Sequence, residues 1–377
     1  MEHSLKEYLR EIRWDLAKRR LYWRGQRESR SIPFEKMEEP IDFVVPWVDG
    51  ADPKWIADRN SYARDAGLLQ NAEDNGEERY RDWDIFRYWF RAVEKYAPWV
   101  RNVFFLTYGH IPEWMNPDAP KLKIINHEDY IPHEFLPVFS SAPIELNMHR
   151  IEGLSEHFVY FNDDMFLAQP AEPEDFFRGG KPNYSALARP TRPDSSSNFY
   201  HMLFNGYSVA NRHFGNKIGQ AILKHPERWF AEQYGSQAWQ NMHAFEENYI
   251  PGMYFSHLGV PFRKSTLERV WEDVREPLLE SSSHRFRSSK DFTHQIFSLW
   301  EMIDGDFNPV SMEHYGKHFW DPLMQKDAIL DAIKNHQYRM ICINDSESIS
   351  RENFCSLKSV FTDAFAEAFP EKSSFEK

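Results

Sequence analysis

Short apolar runs that end in polar residues recur along the first half of the chain, as is typical of buried strands in an α/β protein. Between the first two runs, apolar positions at helical spacing predict a helix over residues 83–96, with Asp82 as its N-cap. The resulting order of strands and helices is the alternation of a sheet covered by helices. The runs that we predict to be strands are 41–47, 103–108, 122–126 and 158–161.

The pattern changes after residues 170–200, a segment rich in Pro, Gly, Asp and Ser that we interpret as a functional loop or lid. Helical spacing then dominates, and short apolar runs within 308–320 and 338–343 predict further strands. The whole pattern predicts a mixed sheet flanked by helices, with a mainly helical C-terminal region. The predicted helices of that region are 205–224, 236–246, 265–280 and 291–303.

The predicted strand at 158–161 runs directly into Asn162, Asp163 and Asp164. Two carboxylates at the end of a buried strand need compensation for their charge. A divalent cation such as Mg²⁺ or Mn²⁺ supplies it, together with substrate phosphates. The alternative is a loop in which Asp163 and Asp164 cap the next element, and these residues alone do not separate the two interpretations.

The first predicted strand ends in an acidic turn that contains Asp49 and Asp52. Nucleotide-binding α/β folds hold a base or ribose at this position, outside the carboxyl ends of the strands. Without further context, an Asx turn that binds no ligand is the simpler interpretation of Asp49.

Composition and charge limit the classes of protein. The chain has 377 residues, of which 41% are hydrophobic and 16% aromatic, so it is globular and not disordered. A net charge of −13 argues against general nucleic-acid binding. Two cysteines and no apolar run of about 18 residues favour a reducing compartment and no membrane span. We expect a cytoplasmic protein.

The N-terminal segment has the opposite charge to the rest of the chain. Residues 1–36 contain ten Lys/Arg and six Asp/Glu, and residues 4–23 have apolar positions at helical spacing. A basic amphipathic helix can lie peripherally on an anionic membrane. The same pattern also fits a helix packed on its own domain, with a solvated basic face.

Further residues complete the set that a nucleotide-sugar enzyme needs. Arginines stabilise charge on a reacting phosphoryl group, and a histidine removes a proton from an acceptor hydroxyl near neutral pH. Each residue alone is more often structural than catalytic. The candidates are Arg79, Asp82 and Arg87 near the predicted helix at 83–96, Glu145 and His149 before the acidic strand end, and His257, His284, Arg285, Arg287 and Asp291 in the later region.

Four stretches resemble the conserved regions of the Stealth family, bacterial capsular and exopolysaccharide hexose-1-phosphate transferases related to the α/β subunits of GlcNAc-1-phosphotransferase. The first is Ile-Asp-Phe-Val-Val-Pro-Trp-Val-Asp-Gly-Ala-Asp-Pro at 41–53. The second extends from Arg79 to Asp129, and the third from Ser140 to Asp164. The fourth begins near His257 and includes His-Arg-Phe-Arg at 284–287.

The resemblance implies a glycosyltransferase-A-like α/β core with helical additions. It also implies transfer of a sugar-1-phosphate from a UDP-sugar to a hydroxyl of an oligosaccharide or lipid-linked glycan, with release of UMP. We divide the chain into a basic helix and linker, a nucleotide-sugar-binding half, an acceptor and catalytic half, and a C-terminal helical extension. The corresponding ranges are 1–36, 37–170, 171–320 and 321–377.

The resemblance also suggests roles for individual residues. Asp164 would be the essential acid and, with Asp163, a ligand of Mg²⁺ or Mn²⁺. His257 would be the general base, and Arg287 would stabilise the phosphoryl charge. Residues near the donor would be Asp49, Asp52, Arg79, Asp82 and Arg87. Candidates of second rank are Glu145, His149, His284, Arg285 and Asp291.

Two alternatives remain at this point. A conventional metal-dependent glycosyltransferase would release UDP in place of UMP. A glycan-binding component of a polysaccharide assembly complex would catalyse nothing, although it would not need a metal site beside a base.

Overall fold

The computed structural model describes residues 5–67, 81–191, 197–312, 315–346 and 349–377. Strands and helices alternate in the first half, and helices dominate the second. The helices are α1 Leu5–Ser29, α2 Pro53–Asp65, α3 Phe86–Tyr96, α4 Ser141–Leu146, α5 Asn198–Phe214, α6 Ile218–Lys224, α7 Pro226–Trp229, α8 Asn241–Glu247, α9 Lys264–Asp273, α10 Arg275–Ser283, α11 Gln295–Asp304, α12 Lys326–Asn335 and α13 Arg351–Ala368.

A five-stranded central sheet organises the molecule. Its order is β3-β2-β1-β4-β8, with β1 to β4 parallel and β8 antiparallel to β4. Parallel strands end on the same side, which we call the carboxyl edge of the sheet. The strands are β1 Ile41–Trp47, β2 Val103–Thr107, β3 Leu122–Asn126, β4 His157–Tyr160 and β8 Val260–Arg263.

Two small sheets extend this framework. The order of the first is β10-β11-β5, and that of the second is β6-β7-β9. Because β5 follows β4 after a four-residue turn, the first small sheet attaches directly to the carboxyl edge. The strands are β5 Met165–Leu167, β6 Phe177–Arg178, β7 Lys181–Tyr184, β9 Asn308–Pro309, β10 Gly316–Phe319 and β11 Met340–Ile343.

The central sheet is buried on both faces, which explains why its strands are almost continuously apolar. Alternate residues of β1 enter two different hydrophobic clusters, with Val44 in one and Phe43 and Val45 in the other. Phe43 and Phe105 are fully buried, and truncation of such a ring to Ala typically costs about 3–5 kcal/mol. The apolar runs therefore reflect a sheet between two layers.

Asp42 is the polar exception within β1 and is fully buried. Its carboxylate accepts hydrogen bonds from the Arg101 guanidinium and from the backbone N–H groups of Asn102 and Ser155. A buried carboxylate needs such partners, because an unpaired one would be strongly destabilising. Asp42 therefore ties the amino ends of β1 and β2 to the segment before β4.

The predicted α/β class, the four early strands and the mainly helical C-terminal region are confirmed. The prediction that Asp82 caps a helix starting near Trp83 is wrong, because Asp84 has a φ of 58° and α3 begins only at Phe86. The Asp82 carboxylate instead accepts the backbone N–H of Asp84. Among the described residues, no helix is long and apolar enough to cross a membrane.

Candidate functional site

The carboxyl edge brings the two predicted acidic turns together. Strands β1 and β4 are parallel neighbours, with Val44 opposite Tyr160. The turn that contains Asp49 follows β1, and Asn162-Asp163-Asp164 follows β4. Side chains from these turns therefore share the place where ligands gather in open α/β sheets.

His257 reaches this edge through the antiparallel pairing of β8 with β4. In that register Val260 lies opposite Tyr160, so the residues just before β8 pass beside those just after β4. The Nε2 atom of His257 lies 3.7 Å from Oδ2 of Asp164 and 3.5 Å from the side-chain amide of Asn162. The imidazole and the carboxylate therefore face each other across the turn.

The local charges determine the proton affinity of this pair. Burial tends to lower the pKa of His257, but the adjacent Asp164 carboxylate outweighs burial and raises the pKa above 6.5. Burial against neighbouring protein atoms raises the pKa of Asp163 to about 7, and the negative charges of Asp164 and Asp82 contribute further. The Asp163 side chain remains exposed to solvent, and repulsion from the charges of Asp164 and Asp82 favours its protonated form.

One oxygen of Asp164 is left available for a ligand. Oδ1 is buried and has no hydrogen-bond partner among the described residues. An unpaired buried carboxylate oxygen is costly, so a cation or a donor group at this position would stabilise it. The carboxylate chemistry of Asp163 and Asp164 fits a divalent cation such as Mg²⁺.

Two residues at this place were missed in the sequence analysis, Cys342 and His318. Cys342 on β11 pairs with Met165 on β5, next to Asp164, and His318 on β10 pairs with Cys342. Asp164, His257 and Cys342 each offer one atom that could bind a metal ion. These three atoms lie within 4.8 Å of one another. Only the pairing of the first small sheet brings Cys342 and His318 here, and no motif in the sequence indicates that pairing.

The segment after α10 is built around a buried Asp291. The Nδ1 atom of His284 lies 2.6 Å from Oδ1 of Asp291, and the Ser288 N–H donates to the other carboxylate oxygen. Burial raises the pKa of Asp291 to about 6, although His284 and the positive charge of Arg287 oppose the shift. Asp291 thus holds the loop in shape and lies close to Arg287.

Aromatic packing fixes the position of this loop. The Phe286 ring stacks on Phe139 at 5.2 Å, and both belong to a small cluster that also contains Trp55. Val48 and Tyr108, which follow β1 and β2, pack against the same cluster. The loop that contains Arg287 is therefore anchored beside the carboxyl edge.

The acidic residues after β1 mainly shape the backbone. The Asp49 carboxylate accepts the Ala51 N–H, and the Asp49 N–H donates to Nε2 of His110 at 2.8 Å. Asp52 caps α2 by accepting the Trp55 N–H at 2.6 Å. The Asx turn considered from the sequence is thus present, and it holds both acids at the carboxyl edge.

The other residues predicted near the donor are less closely gathered. Arg87 on α3 donates to Asp84 at 3.1 Å and lies over the Trp114 ring. Asp82 is exposed and is close enough to Asp163 to affect its pKa. Arg79 lies outside the described residues.

Three candidates of second rank have structural partners other than Asp164 and His257, although the negative charge of Glu145 contributes to the raised pKa of His257. Glu145 is buried, accepts the Tyr160 hydroxyl at 3.1 Å and lies 2.9 Å from Nδ1 of His294. His149 packs against the Trp271 ring, and burial lowers its pKa to about 3. Arg285 donates to the Leu136 carbonyl at 2.9 Å.

Cavity size does not identify the site. Cavities of about 420 and 370 Å³ lie beside α5 and α10, and beside residues 232–237. Neither is lined by Asp164 or His257. The convergence of ionisable groups identifies the site instead, because an open cleft completed by a substrate is not an enclosed cavity.

Comparison with known proteins supplies independent information. Residues 39–66 match the model of Stealth protein conserved region 1, and residues 79–184 match that of conserved region 2. The capsular polysaccharide phosphotransferase WcwK of Streptococcus pneumoniae is 40% identical over 90% of this chain and 100% of its own length. The exopolysaccharide phosphotransferase cps2G of Lactiplantibacillus plantarum is 38% identical over 94% of this chain and 100% of its own.

Solved structures give a more distant likeness. The galactosyltransferase LgtC, in complex with donor and acceptor sugar analogues, matches with a TM-score of 0.38 and 10% identity over 86% of this chain and 95% of its own. The bifunctional glycosyltransferase WbbM matches with a TM-score of 0.39 and 10% identity over 89% of this chain and 50% of its own. No inference rests on these two likenesses.

Proposed function

The chain belongs to the Stealth family of capsular and exopolysaccharide phosphotransferases, and on that premise we propose that it is a sugar-1-phosphate transferase. The donor is a UDP-hexose or UDP-N-acetylhexosamine, and the acceptor is a hydroxyl of an oligosaccharide or lipid-linked glycan. The product is a phosphodiester of a capsule or exopolysaccharide, and UMP is released.

The observation that best supports this function is the 3.7 Å separation between Asp164 and His257 at the carboxyl edge. The two residues come from distant parts of the chain, and nothing in the packing of a simple binding module requires them to meet. An acid next to an imidazole of raised pKa is the arrangement expected for proton removal from a hydroxyl.

In the proposed reaction, His257 accepts the proton of the acceptor hydroxyl as that oxygen attacks the β-phosphorus of the donor. The bond between this phosphorus and the bridging oxygen breaks, and UMP leaves with the electron pair. The bond between the sugar and its phosphate is untouched, so the anomeric configuration of the donor survives. Arg287 stabilises the charge on the phosphoryl oxygens, which is worth about 10³-fold or more in comparable enzymes.

Asp163 and Asp164 are the residues that would hold Mg²⁺ or Mn²⁺. The unpartnered Oδ1 of Asp164 supports this assignment. Such a cation supplies positive charge that offsets the diphosphate of the donor. The Asp164 carboxylate also faces the imidazole of His257, so both roles of Asp164 act on the same step.

The nucleotide end of the donor would lie along the turn after β1. Asp49 and Asp52 are held there by backbone hydrogen bonds, and His110 faces the same turn. Asp82 and Arg87 extend this region, and Arg79 is assigned to it from the family resemblance alone.

The proposed domain ranges need one qualification in physical terms. Strand β11 belongs to the range 321–377, the proposed C-terminal extension, and yet Cys342 on this strand lies beside Asp164. This position supports a catalytic domain to which part of the extension contributes.

The first helix supports peripheral contact with an anionic membrane. Residues 6–17 of α1 are largely exposed, although the Trp14 ring stacks on Phe245. Leu21, Gln26 and Ser29 nearer its end are buried against the body. Tyr8, Leu9 and Leu16 are exposed apolar side chains on a segment rich in arginine. Packing on the protein's own domain explains only the second half of α1.

Membrane contact can be tested by flotation with vesicles of anionic or of zwitterionic phospholipid. We expect the protein to bind the anionic vesicles, and we expect the double variant Leu9→Glu, Leu16→Glu to lose binding. Equal binding of both proteins, or no binding by the wild type, would remove this part of the proposal. The proposed UDP-sugar donor also supports a cytoplasmic location, because UDP-sugars are cytoplasmic donors.

The reaction itself can be tested by incubation with UDP-sugars, Mg²⁺ and an oligosaccharide acceptor. The proposal expects a phosphodiester signal in the ³¹P NMR spectrum of the glycan product. A product without phosphorus would indicate a conventional glycosyltransferase. Glycan binding without any product from a panel of donors would indicate a binding component.

A further inference from the structure

The proposed reaction leaves one group at its centre without a role. Cys342 is fully buried on β11, and one ligand atom each from Cys342, Asp164 and His257 lie within 4.8 Å of one another. A carboxylate pair and substrate phosphates suffice for Mg²⁺, which does not favour thiolate ligands. The thiol therefore changes which cations this place can bind.

The three ligand types match those of zinc sites. Zn²⁺ binds Cys sulfur at about 2.3 Å and His nitrogen or carboxylate oxygen at about 2.0–2.2 Å, in tetrahedral geometry. Tetrahedral ligand atoms at these distances lie about 3.3–3.7 Å apart, and a nitrogen–oxygen pair lies about 3.3–3.6 Å apart. The observed 3.7 Å between Asp164 and His257 is close to the nitrogen–oxygen separation, and Cys342, whose sulfur lies within 4.8 Å of both, would move closer on binding.

Two unpaired atoms support a ligand at this position independently of the thiol. Oδ1 of Asp164 and Nε2 of His318 are both buried without hydrogen-bond partners among the described residues. The His318 ring lies 5.1 Å from that of His257, on the strand that pairs with β11. His318 is therefore placed to become a fourth ligand, or to bind a water molecule that fills the fourth position.

We propose that Asp164, His257 and Cys342 form a site for a thiophilic divalent cation of the zinc class, and that such a cation inhibits the enzyme. Binding displaces the thiol proton into solvent and occupies the imidazole nitrogen of His257. An occupied imidazole cannot accept a proton from the acceptor hydroxyl. The inhibition rests on the proposed function, whereas the binding site does not.

Direct binding tests the site without any turnover. Metal-free protein is titrated with Co²⁺, and the near-ultraviolet absorption of a thiolate–cobalt bond is followed in the wild type. We expect this band to appear with about one equivalent of Co²⁺ and to disappear on addition of Zn²⁺. The control Cys355→Ser removes the exposed cysteine on α13 and should leave the band unchanged. A wild type without the band would overturn the proposal, whatever the variants show.

Affinity for Zn²⁺ is then measured by competition with a chromophoric chelator. Loss of an outer partner of a metal ligand typically costs 10–100-fold in affinity, so Cys342→Ser, which removes a ligand itself, should weaken binding by at least about tenfold. Circular dichroism and the melting temperature show whether this variant is folded. Equal affinities of folded Cys342→Ser and the wild type would contradict the proposed ligand set.

Inhibition is measured as UMP release in saturating Mg²⁺ with increasing Zn²⁺. We expect the Zn²⁺ concentration for half-inhibition to rise at least about tenfold in Cys342→Ser and to stay unchanged in Cys355→Ser. Zn²⁺ that binds tightly but leaves the wild-type rate unchanged would refute inhibition. Absence of UMP release in Mg²⁺ alone would instead refute the proposed function, and the cobalt titration would still decide the site.

Discussion

The Nε2 atom of His257 lies 3.7 Å from Oδ2 of Asp164, although the two residues lie in different parts of the sequence. The antiparallel pairing of β8 with β4 creates this proximity, because it runs the segment before one strand past the turn after the other. The proposed proton transfer depends on this relationship, and several measurements test it.

Removal of the imidazole should abolish most of the turnover. We expect His257→Gln to lower the rate of transfer by about 10²–10⁴-fold, the usual contribution of a general base. The matched control is His243→Gln on the exposed surface of α8, which should retain the wild-type rate. Similar rates for both variants would exclude His257 as the base.

The influence of Asp164 on His257 can be measured directly by NMR titration of the metal-free protein. In the wild type the pKa of His257 lies above 6.5 because the Asp164 carboxylate favours the imidazolium. Asp164→Asn removes that negative charge, so the pKa should fall. An unchanged or increased pKa in the variant would mean that another group determines the proton affinity of His257.

The pH dependence of transfer follows from the same pKa. Only neutral imidazole accepts a proton, so the rate should rise with pH through a midpoint above 6.5 and then level off. The measurement is a pH–rate profile at saturating donor and acceptor. A rate that is already maximal well below pH 6.5 would contradict a general-base role for His257.

A substitution of Arg287 should distinguish a role in charge stabilisation from a role in folding. Arg287→Lys keeps a positive charge but loses the planar guanidinium that binds two phosphate oxygens at once. We expect kcat to fall at least about tenfold while the melting temperature stays close to that of the wild type. If the melting temperature falls clearly together with kcat, Arg287 mainly stabilises the folded loop.

The buried pair of Glu145 and His294 should contribute to stability. Although burial opposes ionisation, His294 outweighs it and lowers the pKa of Glu145 below its usual 4.5. A carboxyl with a lowered folded-state pKa stabilises the protein above pH 4.5, and this stabilisation is lost as pH falls through the folded-state pKa.

Glu145→Gln should therefore reduce the free energy of unfolding near neutral pH by about 1.5–3 kcal/mol, the range for hydrogen bonds to charged groups. Denaturant unfolding at several pH values measures this, with the exposed Glu268→Gln as control. The difference between wild type and Glu145→Gln should shrink in acid. A difference that stays constant with pH would show that the charge of Glu145 is not its source.

The sequence allowed prediction of the central sheet because β1 to β4 are short apolar runs that end in turn residues. It also pointed to Asp164 and His257, through a strand that ends in acids and through the family resemblance. Cys342 and His318 could not be predicted to lie nearby, because their position depends on the pairing of β5, β11 and β10. Long-range pairing of such short strands leaves no periodic signal in the sequence.

Glu145 and His149 show what the sequence alone could not supply. Both residues lie shortly before the acidic strand end in the sequence, but α4 ends at Leu146 and the two side chains enter different surroundings. Glu145 pairs with His294, whereas His149 packs against Trp271. The sequence shows that ionisable residues lie near a site, but only their partners in the folded protein show how each one interacts.

The most direct test of the central claim uses a UDP-sugar whose β-phosphate is labelled with ³²P. If the enzyme transfers a sugar-1-phosphate, the label should appear in the glycan product, and the released nucleotide should be unlabelled UMP. If the label instead leaves as UDP while the glycan gains an unlabelled sugar, attack occurs at carbon, and the proposed phosphoryl transfer is wrong.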